Sequence, residues 1–362
     1  MGMRSTKFGG IEQFMIRLME KNPSYQFVLV YEKQPESQAF CKQVLIGGGK
    51  ILVLPLCGSA FLKSLPHFVR LCIKLRPEII HFHFSDAWCL YAMTARLLGV
   101  KKIFKTQHSC ITKNMRQVNS FSELPLHSKV LSMGKMGKRW LTRVLFVSHY
   151  VEEQYGRIYG KSRNYATVYM GVKPPAPCER DVRKELGISP GQKVIASILF
   201  ANPLKGADVL LRAMEKVPDA VLLLVGMDRD SPYTHEMEAL TRQLNVADRI
   251  KWIGITDRAS DYLSITDVYV QPSRTEALSL AACEALSFGI PVVGSEVGGL
   301  PEASSLVFAN GDATDCARQV NRLLADSRLY DELGREARRR WEEKFSLEKG
   351  TNAYSAIYRM AE

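Results

Sequence analysis

The sequence predicts two doubly wound α/β domains, each built on a parallel sheet and facing the other across a cleft. Short runs of valine, isoleucine and leucine alternate with helix-like segments along the 362 residues, as in parallel sheets covered on both faces. A chain of this length holds two domains of ordinary size. The proline-rich segment 173–178 separates the runs into two groups, because it can continue neither a helix nor a strand.

Ten apolar runs predict buried strands. They cover residues 27–31, 51–54, 78–84, 102–106, 144–148, 194–199, 220–225, 250–253, 267–271 and 291–294. We therefore expect an N-terminal domain over residues 1–172 and a C-terminal domain over 173–350. A final helix, 351–362, is expected to pack back toward the N-terminal domain.

The N-terminus departs from this pattern. A doubly wound domain should open with a strand, yet only Met1 to Phe8 precede Gly9 and Gly10, and they are too polar for a buried parallel strand. Either the first strand lies upstream of Met1 or the domain lacks it. We expect a start further upstream, which leaves the central position of the first sheet empty.

Composition excludes several classes of protein. With 46% hydrophobic residues the chain can form real cores, and no apolar stretch reaches the roughly 20 residues that span a bilayer. The start lacks the layout of a signal peptide. Eight scattered cysteines without a CxxC pair argue against a disulfide framework and a structural zinc site. We expect a cytoplasmic protein.

Charge is divided unevenly between the halves. Residues 1–172 carry 25 lysines and arginines against 9 acidic residues, whereas residues 173–362 carry 24 against 28. A basic half predicts an anionic partner such as a phospholipid surface, a lipid-linked phosphate or a nucleic acid. A solvated basic face without a partner is the alternative.

Two glutamates, Glu276 and Glu284, follow the predicted strand 267–271 in a stretch that is otherwise apolar or small. An offset of eight residues returns to nearly the same face of a helix, so both carboxylates can address one ligand beside a helix N-terminus that favours anions. In the alternative interpretation Glu276 caps the helix and Glu284 is a solvated surface charge.

The segment from Glu276 to Glu302 resembles the E-x7-E region of the retaining GT-B glycosyltransferases of family 4, whose domains are Rossmann-like. Lys205-Gly206 resembles the Lys-Gly element of that family, Thr106-Gln-His108 its Thr-x-His, and Gly9-Gly10 its first glycine loop. Val147-Ser148 and the segment 168–172 resemble the end of its first domain. The matching pieces occur in the family's order over most of the chain.

The resemblance implies a metal-independent hexosyltransferase with no cofactor, because a UDP- or GDP-linked sugar is its co-substrate. Lys205 would bind the donor phosphate, Glu276 the sugar hydroxyls and Glu284 the ribose, while His108 would lie near the reacting sugar. The backbone N–H groups of a helix N-terminus would also bind the donor. Further expected contacts are Asn202, Leu278, Ser279 and Leu280 on the donor, and Gly9 and Gly10 at the diphosphate or acceptor.

Three positions depart from the family pattern. No arginine precedes Lys205 within the segment 197–205, where Asn202 offers only a neutral hydrogen bond. One cation fewer weakens stabilisation of the diphosphate by about 1 kcal/mol or more. Either Arg274 or Arg258 would then meet the donor phosphate, or activity would be low. Met170 stands where asparagine is common, and Ala277 where the family often has glycine.

Two motifs suggest metal chemistry instead. Asp228-Arg-Asp230 resembles a metal-binding Asp-x-Asp, but we interpret it as a surface loop. His81-Phe-His83 places two imidazoles on one face of a strand, and we expect a pair at the core edge, because later strands offer no matching ligands. We expect no metal site.

The predicted function is retaining transfer of a sugar to a lipid-linked or other anionic glycan acceptor, in bacterial surface polysaccharide synthesis. The segment 112–143 would face the inner surface of the cytoplasmic membrane, making the protein peripheral there. One alternative is an epimerase-like sugar-nucleotide enzyme of the same fold without an acceptor. The other is a basic nucleic-acid-binding protein, although residues 101–163 show no nucleic-acid-binding motif.

Overall fold

The computed structural model describes residues 10–54, 61–83, 88–113, 116–124 and 134–360. The chain divides into two compact units. The N-terminal unit comprises Met1–Gly171 with Leu347–Glu362, and the C-terminal unit comprises Val172–Ser346. Parallel strands alternate with helices in both, which confirms the predicted pair of Rossmann-like α/β domains. The expectation of an absent first strand falls on residues 1–9, outside the described residues.

The described strands and helices alternate along most of the chain. The strands are β1 Val28–Tyr31, β2 Lys50–Val53, β3 Ile79–His83, β4 Lys102–Gln107, β5 Thr112–Lys113, β6 Arg116–Gln117, β7 Arg143–Phe146, β8 Tyr165–Thr167, β9 Lys193–Ile198, β10 Ala220–Val225, β11 Ile250–Gly254, β12 Val268–Gln271, β13 Val292–Ser295 and β14 Leu306–Phe308. The α-helices are α1 Gly10–Lys21, α2 Gln38–Ile46, α3 Phe61–Leu75, α4 Trp88–Leu97, α5 His149–Tyr159, α6 Val182–Glu185, α7 Ala207–Ala213, α8 Pro232–Gln243, α9 Ala259–Leu263, α10 Leu280–Ser287, α11 Ala313–Ala325, α12 Ser327–Arg340 and α13 Leu347–Arg359.

All ten predicted strands are present, and their ends differ from the prediction by at most two residues. The prediction missed β8, β14 and the hairpin of β5 and β6. These strands are only two or three residues long, so they offer too few positions for an apolar run to be recognised. No helix in the described ranges is long and apolar enough to cross a membrane.

The C-terminal unit contains one sheet of six parallel strands in the order β11-β10-β9-β12-β13-β14. All six residues of β10 are buried, as expected for a central strand covered by helices on both faces. A cluster of buried apolar side chains joins α7, α8 and α11 to this sheet. Strand order reverses between β9 and β12, so the connections that leave these two neighbours run in opposite directions.

The described parallel strands of the N-terminal unit form two sheets, β1-β2 and β3-β4-β7-β8. The chain's last helix, α13, packs against α1 in this unit. The rings of Phe14 and Tyr354 meet edge to face with centroids 4.9 Å apart, and Arg17 pairs with Glu348 at 3.2 Å. Gly350 of α13 lies close to the end of the first segment of this unit, because a Cβ there would lie 2.7 Å from the backbone nitrogen of Gly171.

A cavity of about 390 Å³ lies within the N-terminal unit. Residues of both β1 and β3 line it, together with Met15 and Leu18 of α1 and Phe68 and Cys72 of α3. Among the described residues, β1 pairs only with β2 and β3 only with β4. Within the described part of the N-terminal unit, the two sheets are therefore not joined at this place.

Candidate functional site

The candidate site lies in the C-terminal unit, beyond the carboxyl ends of β9 and β12. Ligands of open α/β sheets bind where strand order reverses, because the diverging loops leave a crevice there. Lys205 lies in the segment after β9, and Glu276 lies in the segment after β12. The two neighbouring strands thus carry both predicted residues to one end of the sheet.

A glycine brings the two segments together. Asn202 opens a single 3-10 turn over Pro203–Lys205, and its side chain accepts a hydrogen bond of 2.8 Å from the nitrogen of Leu204. Gly206 ends the turn with φ of 69°. A Cβ at Gly206 would lie 2.0 Å from the carbonyl oxygen of Pro272, so only glycine fits between the segments.

Lys205 and Glu276 form an ion pair. Lys205 Nζ lies 2.7 Å from Glu276 Oε2, and the side chains are 27% and 14% exposed, respectively. Ser273 Oγ donates to the same carboxylate oxygen at 3.2 Å. A fixed cation and a fixed carboxylate therefore lie side by side, and both remain in contact with solvent.

Arg274 and Arg258, the two arginines expected to replace the missing cation, are paired with carboxylates. Arg274 donates two hydrogen bonds to Asp208, at 2.8 and 2.7 Å. Burial alone would raise the pKa of Asp208, but these bonds hold it below its ordinary value. Arg258 pairs with Asp261 at 2.8 Å. Both guanidinium groups are thus engaged by carboxylates, while Lys205 pairs with Glu276.

The helix after Glu276 begins at Leu280, and its N-cap is Ser279, whose side chain accepts a 3.1 Å hydrogen bond from the nitrogen of Ala282. The interpretation of Glu276 as the cap is therefore wrong. The expectation that Glu276 and Glu284 share one helical face is wrong as well, because Glu276 precedes the helix. Leu278 and Ser279 are buried at this N-terminus, next to Glu276 in the chain.

Glu284 lies in the second turn of α10 and is half-buried. Burial raises the pKa of its carboxyl to about 7. Within the described residues no hydrogen bond or ion pair to this carboxylate is found. Glu284 is therefore not an ordinary solvated charge, since a carboxyl at the surface would keep a lower pKa.

The predicted His108 lies in the N-terminal unit, directly after β4. Its Nε2 is 2.8 Å from Nδ1 of His83. Burial lowers the pKa of His108 to about 3, and burial also lowers the pKa of His83 and His81. The three imidazoles are consequently neutral at pH 7, and they can donate or accept hydrogen bonds but carry no charge.

The two motifs that suggested a metal do not form a metal site in the described chain, where no group of three or more His, Cys, Asp or Glu could hold an ion. His81 instead contacts Tyr358 at 2.6 Å and Thr106 at 2.8 Å. The Asp228 carboxylate accepts a hydrogen bond from the nitrogen of Asp230 at 3.2 Å, which stabilises a local turn.

Of the predicted glycines, Gly10 is the first residue of α1, and Gly9 lies outside the described residues. Three further polar side chains, Tyr269, Gln271 and Ser273, form a chain of hydrogen bonds that ends on Glu276 and were not predicted. Their signal was present in the sequence, because polar groups at every second position share one face of a strand. The buried strand pattern around them concealed it.

Known protein families match both halves of the chain. The model of Glycosyltransferase Family 4 matches residues 8–174, and the model of Glycosyl transferases group 1 matches residues 179–340. N-acetyl-alpha-D-glucosaminyl L-malate synthase of Bacillus anthracis is 28% identical over 295 residues, which is 78% of this chain and 74% of that protein. D-inositol 3-phosphate glycosyltransferase of Mycobacterium marinum is 31% identical over 50% of this chain, which corresponds to 41% of that protein.

Two solved structures share the fold along almost the whole chain. A glycosyltransferase from Rickettsia africae has a TM-score of 0.81 at 17% identity and covers 97% of this chain and 94% of its own. Anabaena Alr3699/HepE in complex with UDP has a TM-score of 0.80 at 16% identity, and the match covers 97% of this chain and 96% of that chain.

Proposed function

Because the chain belongs to the GT-B glycosyltransferases of family 4, we propose that it moves a hexose from a UDP- or GDP-sugar to an anionic acceptor with retention of anomeric configuration. The observation that carries this proposal is the Lys205–Glu276 ion pair of 2.7 Å beside the N-terminus of α10. A diphosphate needs a cation and N–H donors, and sugar hydroxyls need a carboxylate.

In this proposal Lys205 binds the diphosphate and Glu276 accepts hydrogen bonds from the sugar. The backbone N–H groups of Leu278, Ser279 and Leu280 contribute the helix N-terminus, which stabilises negative charge on the leaving phosphate. Glu284 binds the ribose. The bond between the anomeric carbon and the phosphate oxygen breaks, the acceptor oxygen attacks from the same face, and the phosphate takes the acceptor's proton.

His108 would contribute a neutral imidazole near the reacting sugar. With a pKa of about 3, it does not act as a general acid at pH 7, but it can hydrogen-bond a sugar hydroxyl. Asn202 would add a neutral contact through its amide nitrogen, since its oxygen already accepts from Leu204. Gly10, at the start of α1, would leave the backbone open to the diphosphate or acceptor.

For the acceptor we propose a lipid-linked or otherwise anionic glycan of surface polysaccharide synthesis, reached from the inner face of the cytoplasmic membrane. The charge of the first 172 residues supports this, with 25 basic against 9 acidic. Helix α3 adds a suitable surface, because Leu62 and Ile73 are 61% and 59% exposed on a helix without acidic residues. Part of the segment 112–143, at 114–115 and 125–133, lies outside the described residues.

Vesicle sedimentation tests the membrane part. Wild-type protein should bind vesicles that contain anionic lipid and lose this binding at high salt, because charge attraction is screened. The substitution Ile73→Glu should weaken binding, whereas Val307→Glu, at a 37% exposed position of the C-terminal unit, should not. Equal binding to neutral vesicles, or tight binding to duplex DNA in place of vesicles, would contradict the proposal.

A screen of nucleotide sugars tests the reaction. We expect one UDP- or GDP-sugar to raise the Tm, and transfer to continue in the presence of a chelator. Loss of activity with chelator would instead favour a metal at Asp228 and Asp230. Conversion of the sugar nucleotide to an epimer without an acceptor would favour the epimerase-like alternative.

A further inference from the structure

A continuous chain of side-chain hydrogen bonds lies beneath Glu276. The hydroxyl of Tyr269 donates to Oε1 of Gln271 at 2.7 Å, and Nε2 of Gln271 donates to Oγ of Ser273 at 2.9 Å. Ser273 in turn donates to Oε2 of Glu276 at 3.2 Å. Tyr269 and Ser273 are completely buried, and Gln271 is 2% exposed, so water does not compete for these bonds.

The chain is joined to both neighbouring elements of the site. The backbone nitrogen of Ile198, the last residue of β9, donates to the Tyr269 hydroxyl at 3.3 Å. On the other side Ser279, the N-cap of α10, donates to Oε1 of Gln271 at 3.1 Å. One amide therefore connects the end of β9, the carboxylate of Glu276 and the start of α10.

The direction of each hydrogen bond follows from the groups involved. Ser279 accepts from the nitrogen of Ala282, so its proton is available for Gln271. The Tyr269 hydroxyl accepts from Ile198 and stays protonated, since burial raises its pKa. Both protons point to the oxygen of the Gln271 amide, and its nitrogen therefore faces Ser273. Ser273, having accepted that bond, directs its own proton to Glu276.

We propose that Gln271 is a positioning residue that holds the carboxylate of Glu276 and the N-terminus of α10 in one fixed relation. This inference rests on the proposed function, in which Glu276 binds the sugar and the helix start binds the phosphate. The amide at position 271 accepts from two hydroxyls and donates to a third, which an ionised carboxylate cannot do. A misplacement of about 1 Å at a reacting group can cost about 100-fold in rate, which is why a buried network is useful here.

Two substitutions at Gln271 separate the effect of hydrogen-bond direction from the effect of side-chain shape. In Gln271→Glu the new carboxylate accepts from Tyr269 and Ser279 but also attracts the Ser273 proton, which Glu276 then loses. In Gln271→Met the shape is similar and the polar links are absent. Ser273→Ala removes the hydrogen bond from Ser273 to Glu276. It therefore tests the same connection with residue 271 unchanged.

The test compares binding of UDP-glucose and of UDP by calorimetry, or of whichever nucleotide sugar and free nucleotide the screen selects. Because Glu276 contacts the sugar, Gln271→Glu and Ser273→Ala should weaken UDP-glucose binding about 10-fold and leave UDP binding within about 2-fold. Combining the two should add little, because both remove the same hydrogen bond. A matched control is Thr234→Val, which removes a buried hydroxyl that donates to the Asp228 carbonyl at 2.6 Å in the same unit.

A general loss of stability would weaken the binding of both ligands together, and Thr234→Val would then weaken their binding as well. Equal affinity for the sugar nucleotide in wild type, Gln271→Glu and Gln271→Met would overturn the inference while leaving the proposed function intact. A wild-type protein that binds no nucleotide at all would overturn the proposed function itself, and this inference with it. The positioning role is supported if Gln271→Glu loses the preference for UDP-glucose over UDP and the control Thr234→Val keeps it.

Discussion

In the C-terminal unit six parallel strands hydrogen-bond in one sheet, whereas the parallel strands described for the N-terminal unit divide into a pair, β1-β2, and a group of four, β3-β4-β7-β8. The continuous sheet holds Lys205 and Glu276 at 2.7 Å from each other across two adjacent strand ends. The divided unit instead contains a cavity of about 390 Å³, lined by both β1 and β3.

This difference indicates which chemistry each unit can support. In the proposed function, donor binding depends on the distance between Lys205 and Glu276, and a close-packed sheet can maintain that distance. The N-terminal unit contributes a basic surface and neutral histidines, which tolerate looser placement. Four sets of variants can break or sharpen this comparison.

Replacing Gly206 with alanine should have the largest effect. A Cβ there would lie 2.0 Å from the Pro272 oxygen, and φ is 69°, so β9 and β12 must separate at their ends. We expect the free energy of unfolding to fall by about 3 kcal/mol or more, with loss of donor binding. Gly99→Ala is the matched control: φ is 88° and nothing lies within 4 Å, so calorimetry should show a loss of only about 1 kcal/mol. Similar losses in both variants would show that the two strand ends are not tightly packed.

Enlarging one buried cysteine in each unit tests the packing directly. Cys72 lines the cavity, so Cys72→Leu should raise the free energy of unfolding by about 1 kcal/mol, through additional apolar burial. Cys316 is completely buried in the core of the C-terminal unit, where Cys316→Leu should cost about 1–3 kcal/mol by overpacking. Denaturant titration of both variants shows whether the free energy of unfolding rises or falls in each. Destabilisation by both would mean that the cavity does not accept additional side-chain volume.

The titration of Glu284 gives a smaller, pH-dependent effect. Its pKa in the folded protein is about 7, above the ordinary value of 4.5, so the folded state binds the proton more tightly than the unfolded state. Stability from this group is present at low pH and is lost as pH rises toward and through 7. Between pH 5 and pH 8 the Tm of Glu284→Gln should therefore fall less than the Tm of the wild type. The difference should correspond to about 1 kcal/mol in the free energy of unfolding, because the group keeps some solvent contact. An unchanged pH profile would contradict the raised pKa.

The fold was predictable because long Val/Ile/Leu runs such as 220–225 have one stable environment, a buried parallel strand. The ion pair of Lys205 and Glu276 was predictable only as two residues of a known motif. Their contact depends on Gly206 and Pro272 meeting across two strands, which are more than sixty positions apart in the chain. The partners of Arg274 and Gln271 were not predictable for the same reason, because only the folded sheet brings them close. Glu276 was misread as a possible cap because the start of α10, at Leu280, is an element boundary, where sequence patterns are least informative.

The central claim is that the Lys205–Glu276 pair forms the donor site. It is tested most directly by measuring transfer and nucleotide binding in Lys205→Met and Glu276→Gln, with Lys193→Met as control, since Lys193 pairs with Asp267 in the same unit. We predict that Lys205→Met loses binding of UDP and transfer together, that Glu276→Gln keeps UDP binding but loses transfer by about 100-fold or more, and that the control retains both. Transfer at the wild-type rate in either site variant would contradict the account.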